Sequence, residues 1–175
     1  RYVAFESWAD NLVPDDLNRY SDVFVADRET GVIELISVTA DGEQATNVSG
    51  GAVISADGRF VAFASRADNL SPEDKNRQYD VYLHNRSTRA LTLISRNLNG
   101  SAGNGSSISP ALTTTGNYIV FDSLATDLVP DDHNERVDVF VFDAYVNVQF
   151  DHVVNLPLLV GEQQQRAPGP QLGSA

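Results

Sequence analysis

The 175-residue sequence contains no cysteine and no methionine. Without cysteine there is no disulfide, no thiolate metal site and no cysteine nucleophile. A translated chain starts with Met, so sequence preceding Arg1 is expected to have been removed or to be absent. Lysine is nearly missing: Lys75 stands alone beside eleven arginines. Acidic residues number 24 against 12 basic ones, giving a net charge of -12. Nucleic-acid binding is thereby excluded, because phosphate contacts need a basic face. Docking on anionic lipid is excluded for the same reason. No apolar run approaches the roughly 18 residues a membrane-spanning helix needs, so no membrane insertion is expected. No leader-like segment is visible either. Any signal peptide is expected upstream and already cleaved.

What is present is a repeat. Residues 1–31 (RYVAFESWADNLVPDDLNRYSDVFVADRETG), 59–89 and 117–147 align without a gap at an offset of 58. Phe5, Phe63 and Phe121 coincide, as do Ser7, Ser65 and Ser123, and Pro14, Pro72 and Pro130. Three matching units at one period mark a repeat architecture. The units divide as 1–58, 59–116 and 117–156, with 157–175 as a C-terminal extension or tail rich in Gly, Pro and Gln.

Each unit reads as short strands bounded by Asp, Asn, Gly and Pro. Residues 51–55, 59–65, 80–85 and 90–96 form four of them, with a tight turn at Ala56-Asp57-Gly58 and its counterpart Thr114-Thr115-Gly116. No helical period appears. The strands are almost continuously apolar, which suits sheets covered on both faces. Small sheets stacked at a fixed period are propeller blades, so the expected fold is all-β with three blades. In the third unit 145–154 is expected to be the fourth strand, followed by an apolar segment at 155–160.

The run ISADGRFVAFAS resembles the SPDGxxIAF signature of TolB-like, PD40 or WD40-like propeller repeats. DVFVADRETG and DVYLHNRSTR resemble the third strand of that repeat and its D-x-x-T-G turn. The likeness covers residues 1 to about 143. It implies four-stranded blades in an exported bacterial protein, periplasmic, extracellular or at the cell surface. The period of 58 exceeds the usual 40–45, and the surplus lies in the links between strands.

The chain enters at a second strand, since Arg1 aligns with Arg59. The first blade is therefore expected to lack its inner strand and to leave an open edge. Closure by further sequence, by other copies in an oligomer or filament, or by strand addition all answer that edge. Expected partners are proteins or the chain itself.

One constellation carries possible chemistry, the pattern D-x-N-x-x-x-D. It comprises Asp16, Asn18 and Asp22, then Asp74, Asn76 and Asp80, then Asp132, Asn134 and Asp138. Short-spaced carboxylate and amide oxygens in a loop suit Ca²⁺, which takes six to eight oxygens. The same residues also bond their own backbone in turns, without a metal. His84, His133 and His152 occupy unrelated repeat positions and suggest no catalysis. The repeated serines lie in no G-x-S-x-G elbow. Trp8 aligns with Arg66 and Leu124 and reads as a local contact. Charge alternates by unit at -8, +3 and -7, an arrangement able to orient one copy on another. No catalytic constellation is present. The expected function is a structural or interaction module, stabilised by calcium and self-assembling through open strand edges. Two alternatives are the propeller part of a larger exported enzyme, a peptidase or carbohydrate-active protein, and a TolB-like periplasmic adaptor that binds proteins.

Overall fold

The computed structural model describes residues 1–144 and the short strand at 154–156. Among the described residues there is no helix. Eleven strands form three antiparallel meanders. Sheet 1 contains β1 (Tyr2–Ser7), β2 (Asp22–Asp27) and β3 (Ile33–Leu35) in that order. Sheet 2 contains β4 (Ser49–Ile54), β5 (Phe60–Ser65), β6 (Asp80–Asn85) and β7 (Ala90–Leu93). Sheet 3 contains β8 (Ser107–Leu112), β9 (Tyr118–Ser123), β10 (Asp138–Asp143) and β11 (Val154–Leu156). These are propeller blades, all-β as the sequence pattern implies, and they do not close into a ring. Each complete sheet draws its first strand from the end of the preceding 58-residue unit.

The near-continuous apolar runs have a simple origin. Along β5 and β6, successive side chains point to opposite faces. Val61, Phe63 and Tyr82 lie in one buried cluster with Val23, Val25 and Ile36 of sheet 1. Ala62, Val81 and Leu83 lie in a second cluster with Ile119, Phe121 and Phe140 of sheet 3. The middle blade is thus covered on both sides. The aromatic pairs repeat with it. Phe5 faces Phe24, Phe63 faces Tyr82 and Phe121 faces Phe140 across adjacent strands. Their ring centroids lie 5.6, 5.8 and 5.7 Å apart.

The predicted hairpin turn forms at Gly58 and Gly116, with φ of 74° and 73°. A second constraint acts there as well. A Cβ on Gly58 would stand 2.1 Å from the Tyr2 ring, and one on Gly116 would stand 2.5 Å from the Phe60 ring. These glycines serve the turn and the blade junction together.

The outermost strands are shorter than the sequence suggests. β7 stops at Leu93, although the expected strand runs over 90–96. The ladder ends because Ser95 Oγ takes over the Val81 N–H at 3.0 Å. Ser37 does the same for Val23 at 3.1 Å. In sheet 3, β11 joins the last residue of the expected strand to the start of the following apolar segment. Residues 145–153 and the tail from 157 lie outside the described residues.

Among the described residues, the outer side of each end blade exposes a residue whose equivalents the inner junctions bury. Val3 is 44% exposed, whereas its equivalents Val61 and Ile119 are fully buried. Tyr118 is 46% exposed, whereas its equivalents Tyr2 and Phe60 pack under the next blade.

Candidate functional site

The nine Asp and Asn residues of the repeated motif fall three to a blade, in the link between its second and third strands and at the first residue of the third. In sheet 2, Asn76 Nδ2 donates to Asp80 Oδ2 at 2.8 Å and to the Gly103 carbonyl at 2.7 Å. Asn76 Oδ1 accepts the Gln78 N–H at 2.6 Å, closing an Asx turn. Ser95 Oγ donates to Asp80 Oδ1 at 2.6 Å. Sheet 1 repeats the arrangement. Asn18 Nδ2 reaches Asp22 at 2.6 Å and the Ala45 carbonyl at 3.0 Å, and Ser37 Oγ donates to Asp22 at 2.5 Å. In sheet 3, Asn134 Nδ2 donates to Asp138 at 2.8 Å and its Oδ1 accepts the Arg136 N–H at 2.7 Å.

The remaining members of the motif sit at the loop entrance. Asp16 accepts from Gln44 at 3.3 Å. Asp74 accepts the Tyr82 hydroxyl at 2.6 Å and the Asn76 N–H at 3.3 Å. Asp132 accepts the Asn134 N–H at 3.4 Å. The residue after each Asn adopts the left-handed region: Arg19, Arg77 and Glu135 have φ of 61°, 58° and 52°. Among the described residues, no group of three or more His, Cys, Asp or Glu side chains is arranged to hold a metal ion.

The motif also fastens each blade to its neighbour. The linker entering sheet 2 is gripped from both sides. Asn18 of sheet 1 holds Ala45, while Asn69 of sheet 2 accepts the Thr46 N–H at 3.0 Å and donates to Gln44 at 2.8 Å. The next linker is held alike by Asn76 at Gly103 and by Asp127, which accepts the Asn104 N–H at 2.9 Å.

Burial makes Asp22, Asp74 and Asp80 weaker acids by raising their pKa values. Desolvation pushes Asp80 up to about 7, against the lowering pull of the Ser95 hydrogen bond and with added repulsion from Asp74. Asp22 and Asp74 are raised for the same first reason, partly offset by Ser37 and by Tyr82 respectively.

A second feature lies beside these loops. A depression of about 340 Å³ is lined by Glu6, Trp8, Gly50, Gly51, Tyr79 and Ile108, among others. Its floor is a bulge that interrupts the pairing of β4 with β5, and an equivalent bulge interrupts β8 with β9. Gly51 and its counterpart Ser109 take φ of 65° and 55° there. Glu6 accepts the Gly51 N–H at 2.7 Å. The Arg66 guanidinium lies 5.6 Å over the Tyr79 ring. Trp8, read from sequence as a local contact, is 69% exposed on the rim. An exposed Trp and a half-buried Tyr beside a concave surface are features of protein-binding patches.

No protein-family model matches the sequence, and no curated protein matches it. Several solved structures are similar to it, two of which follow. One is a protein assigned as TolB from Agrobacterium tumefaciens, with 19% identity and a TM-score of 0.45, covering 73% of this chain and 39% of that one. The other is the tricorn protease, with 16% identity and a TM-score of 0.44, covering 70% of this chain and 11% of that one. Both are β-propeller proteins. The chain spans well under half the length of either.

Proposed function

We propose that this chain is a protein-interaction module of the propeller kind that works outside the cytoplasm and stacks its open blade faces on further copies of itself. One observation carries the reading. Each open face bears residues that the internal junctions bury. At the junction of sheets 1 and 2, the Arg86 guanidinium lies 4.6 Å over the Tyr2 ring and 2.7 Å from Glu34. Arg28, the equivalent of Arg86, is exposed, and so is Tyr118, the equivalent of Tyr2. Setting the sheet 1 face of one copy on the sheet 3 face of another brings Arg28 to Tyr118 and covers Val3. Val3 is already more than half buried, so covering the rest stabilises by about 1 kcal/mol. Such head-to-tail contact is heterologous and builds rings or filaments.

The exported location draws on the sequence resemblance to TolB-like repeats. The acidic units -8 and -7 meet at the proposed contact, so salt should strengthen it by screening. Light scattering across a concentration series tests the reading. Mass should rise with protein and with salt, and Val3→Asp should hold the chain at monomer mass. A strict monomer at high concentration in both salts would sink it.

A further inference from the structure

We propose that the joint between sheets 1 and 2 is an acid-operated switch: protonation of His84 opens it, while the joint between sheets 2 and 3 stays shut. The joint lies inside the chain, so the proposal stands whether or not copies stack.

His84 is on β6, opposite Val61 of β5 and Leu91 of β7. Alternation along the strand turns it, like Tyr82, toward sheet 1. It is 2% exposed, and among the described residues its Nδ1 meets no hydrogen-bond partner. A neutral ring tolerates this, because one of its nitrogens carries no proton. An imidazolium carries a proton on both. Nδ1–H would then be a buried donor without an acceptor, on a buried charge. That charge regains water only if the two sheets part.

The surrounding charges do not relieve it. By the same alternation, sheet 1 presents Tyr2 on β1, Asp27 on β2 and Glu34 on β3. Asp27 is taken up by Arg1 at 2.8 Å. Glu34 Oε2 is taken up by Nε and Nη2 of Arg86 at 2.8 and 2.7 Å. Sheet 2 adds Tyr82, Arg86, Arg89 and Arg59, the last lying 4.9 Å over the Phe60 ring. Burial is the largest influence on His84 and lowers its pKa; Glu34 raises it, and Arg86 and Arg89 lower it.

The repeat supplies its own control. At the joint of sheets 2 and 3, Phe142 takes the place of His84, Thr92 that of Glu34 and Ala144 that of Arg86. Phe142 is buried in the second cluster, with Phe60 and Ala144 packed against it. None of these side chains titrates. The same position is therefore apolar at one joint and ionisable at the other.

The direction follows from linkage. The ordinary value of histidine is 6.5, and the folded value is lower. The contribution of His84 to the joint is complete above about pH 6.5. It falls below that, by up to about tenfold per pH unit, until the folded value is reached.

The cysteine-free sequence allows each joint its own reporter. Val25→Cys sits in the cluster between sheets 1 and 2, and Leu83→Cys, its repeat equivalent, in the cluster between sheets 2 and 3. Each thiol is treated with a disulfide reagent that reacts in acid. Its rate in the urea-unfolded chain, divided by its rate in the native chain at the same pH, gives its protection. Between pH 7 and pH 5, protection at Val25→Cys should fall by on the order of tenfold relative to Leu83→Cys. Unfolding of the whole chain would expose both alike. His84→Phe, the residue of the second joint, should abolish the difference, and His84→Leu serves the same end if the ring does not fit. An equal pH response at both joints, or a response that persists without His84, would overturn the proposal. Light scattering on the same samples shows whether copies stack, so the two ideas fail separately.

Discussion

Arg86 and Tyr2 join the first two blades: the guanidinium lies 4.6 Å over the ring while its Nη1 donates to the Gly58 carbonyl at 2.6 Å. The same group pairs with Glu34 through Nε at 2.8 Å and Nη2 at 2.7 Å. The guanidinium is mostly shielded, and two of its nitrogens converge on one oxygen, Glu34 Oε2, so the pair is worth more than a fully exposed one. Arg86→Ala should therefore lower stability by about 1–3 kcal/mol in urea unfolding. Arg28→Ala, at the exposed equivalent position, should change the monomer by less than about 0.5 kcal/mol. Equal effects of the two substitutions would contradict the junction as described.

Asp80 makes stability depend on pH. In the folded chain its carboxyl holds a proton up to about pH 7, against a usual value of 3.8. Between those values the folded state binds more protons than the unfolded one. Stability from this group therefore falls as pH rises from about 4 to about 7 and is level above that. His84 runs the other way, because burial lowers its value and disfavours the charged ring as pH drops. Subtracting the curve of Asp80→Asn from that of the native chain isolates the aspartate. The difference should fall by on the order of 2–4 kcal/mol across the window. A flat difference would mean that Asp80 is ionised without penalty.

The Asn latch and the calcium idea share residues and separate in one experiment. If Asn76 works by holding Asp80 and the Gly103 carbonyl, Asn76→Ala should destabilise by about 1–3 kcal/mol with or without added metal. The latch alone predicts no rise in melting temperature at millimolar Ca²⁺. A rise that disappears in Asp74→Asn or Asp80→Asn would assign calcium to these loops.

Much of the fold is legible in the residues, for a physical reason. Phe5, Phe63 and Phe121 recur because each blade needs the same aromatic in the same place. Gly58 and Gly116 recur because a turn and a packed ring both exclude a side chain. The Asp and Asn positions are equally visible as a set. Their partners are not, because Ser95 and Gly103 lie 15 and 27 residues away from Asp80 and Asn76 and meet them only through the meander. Position 8 hides the groove for a related reason. Trp8, Arg66 and Leu124 share no chemistry, so repetition gives no sign of the depression that only the first of them rims.

The central claim is that the two outer faces are halves of one contact. The cysteine-free sequence lets that be trapped chemically. Chains carrying Arg28→Cys and chains carrying Tyr118→Cys are mixed and treated with a short bifunctional thiol reagent. The account predicts a mixed dimer formed far faster than with Ser87→Cys in place of Arg28→Cys, and faster at high salt than at low. Cross-linking no faster than that control pair would contradict it.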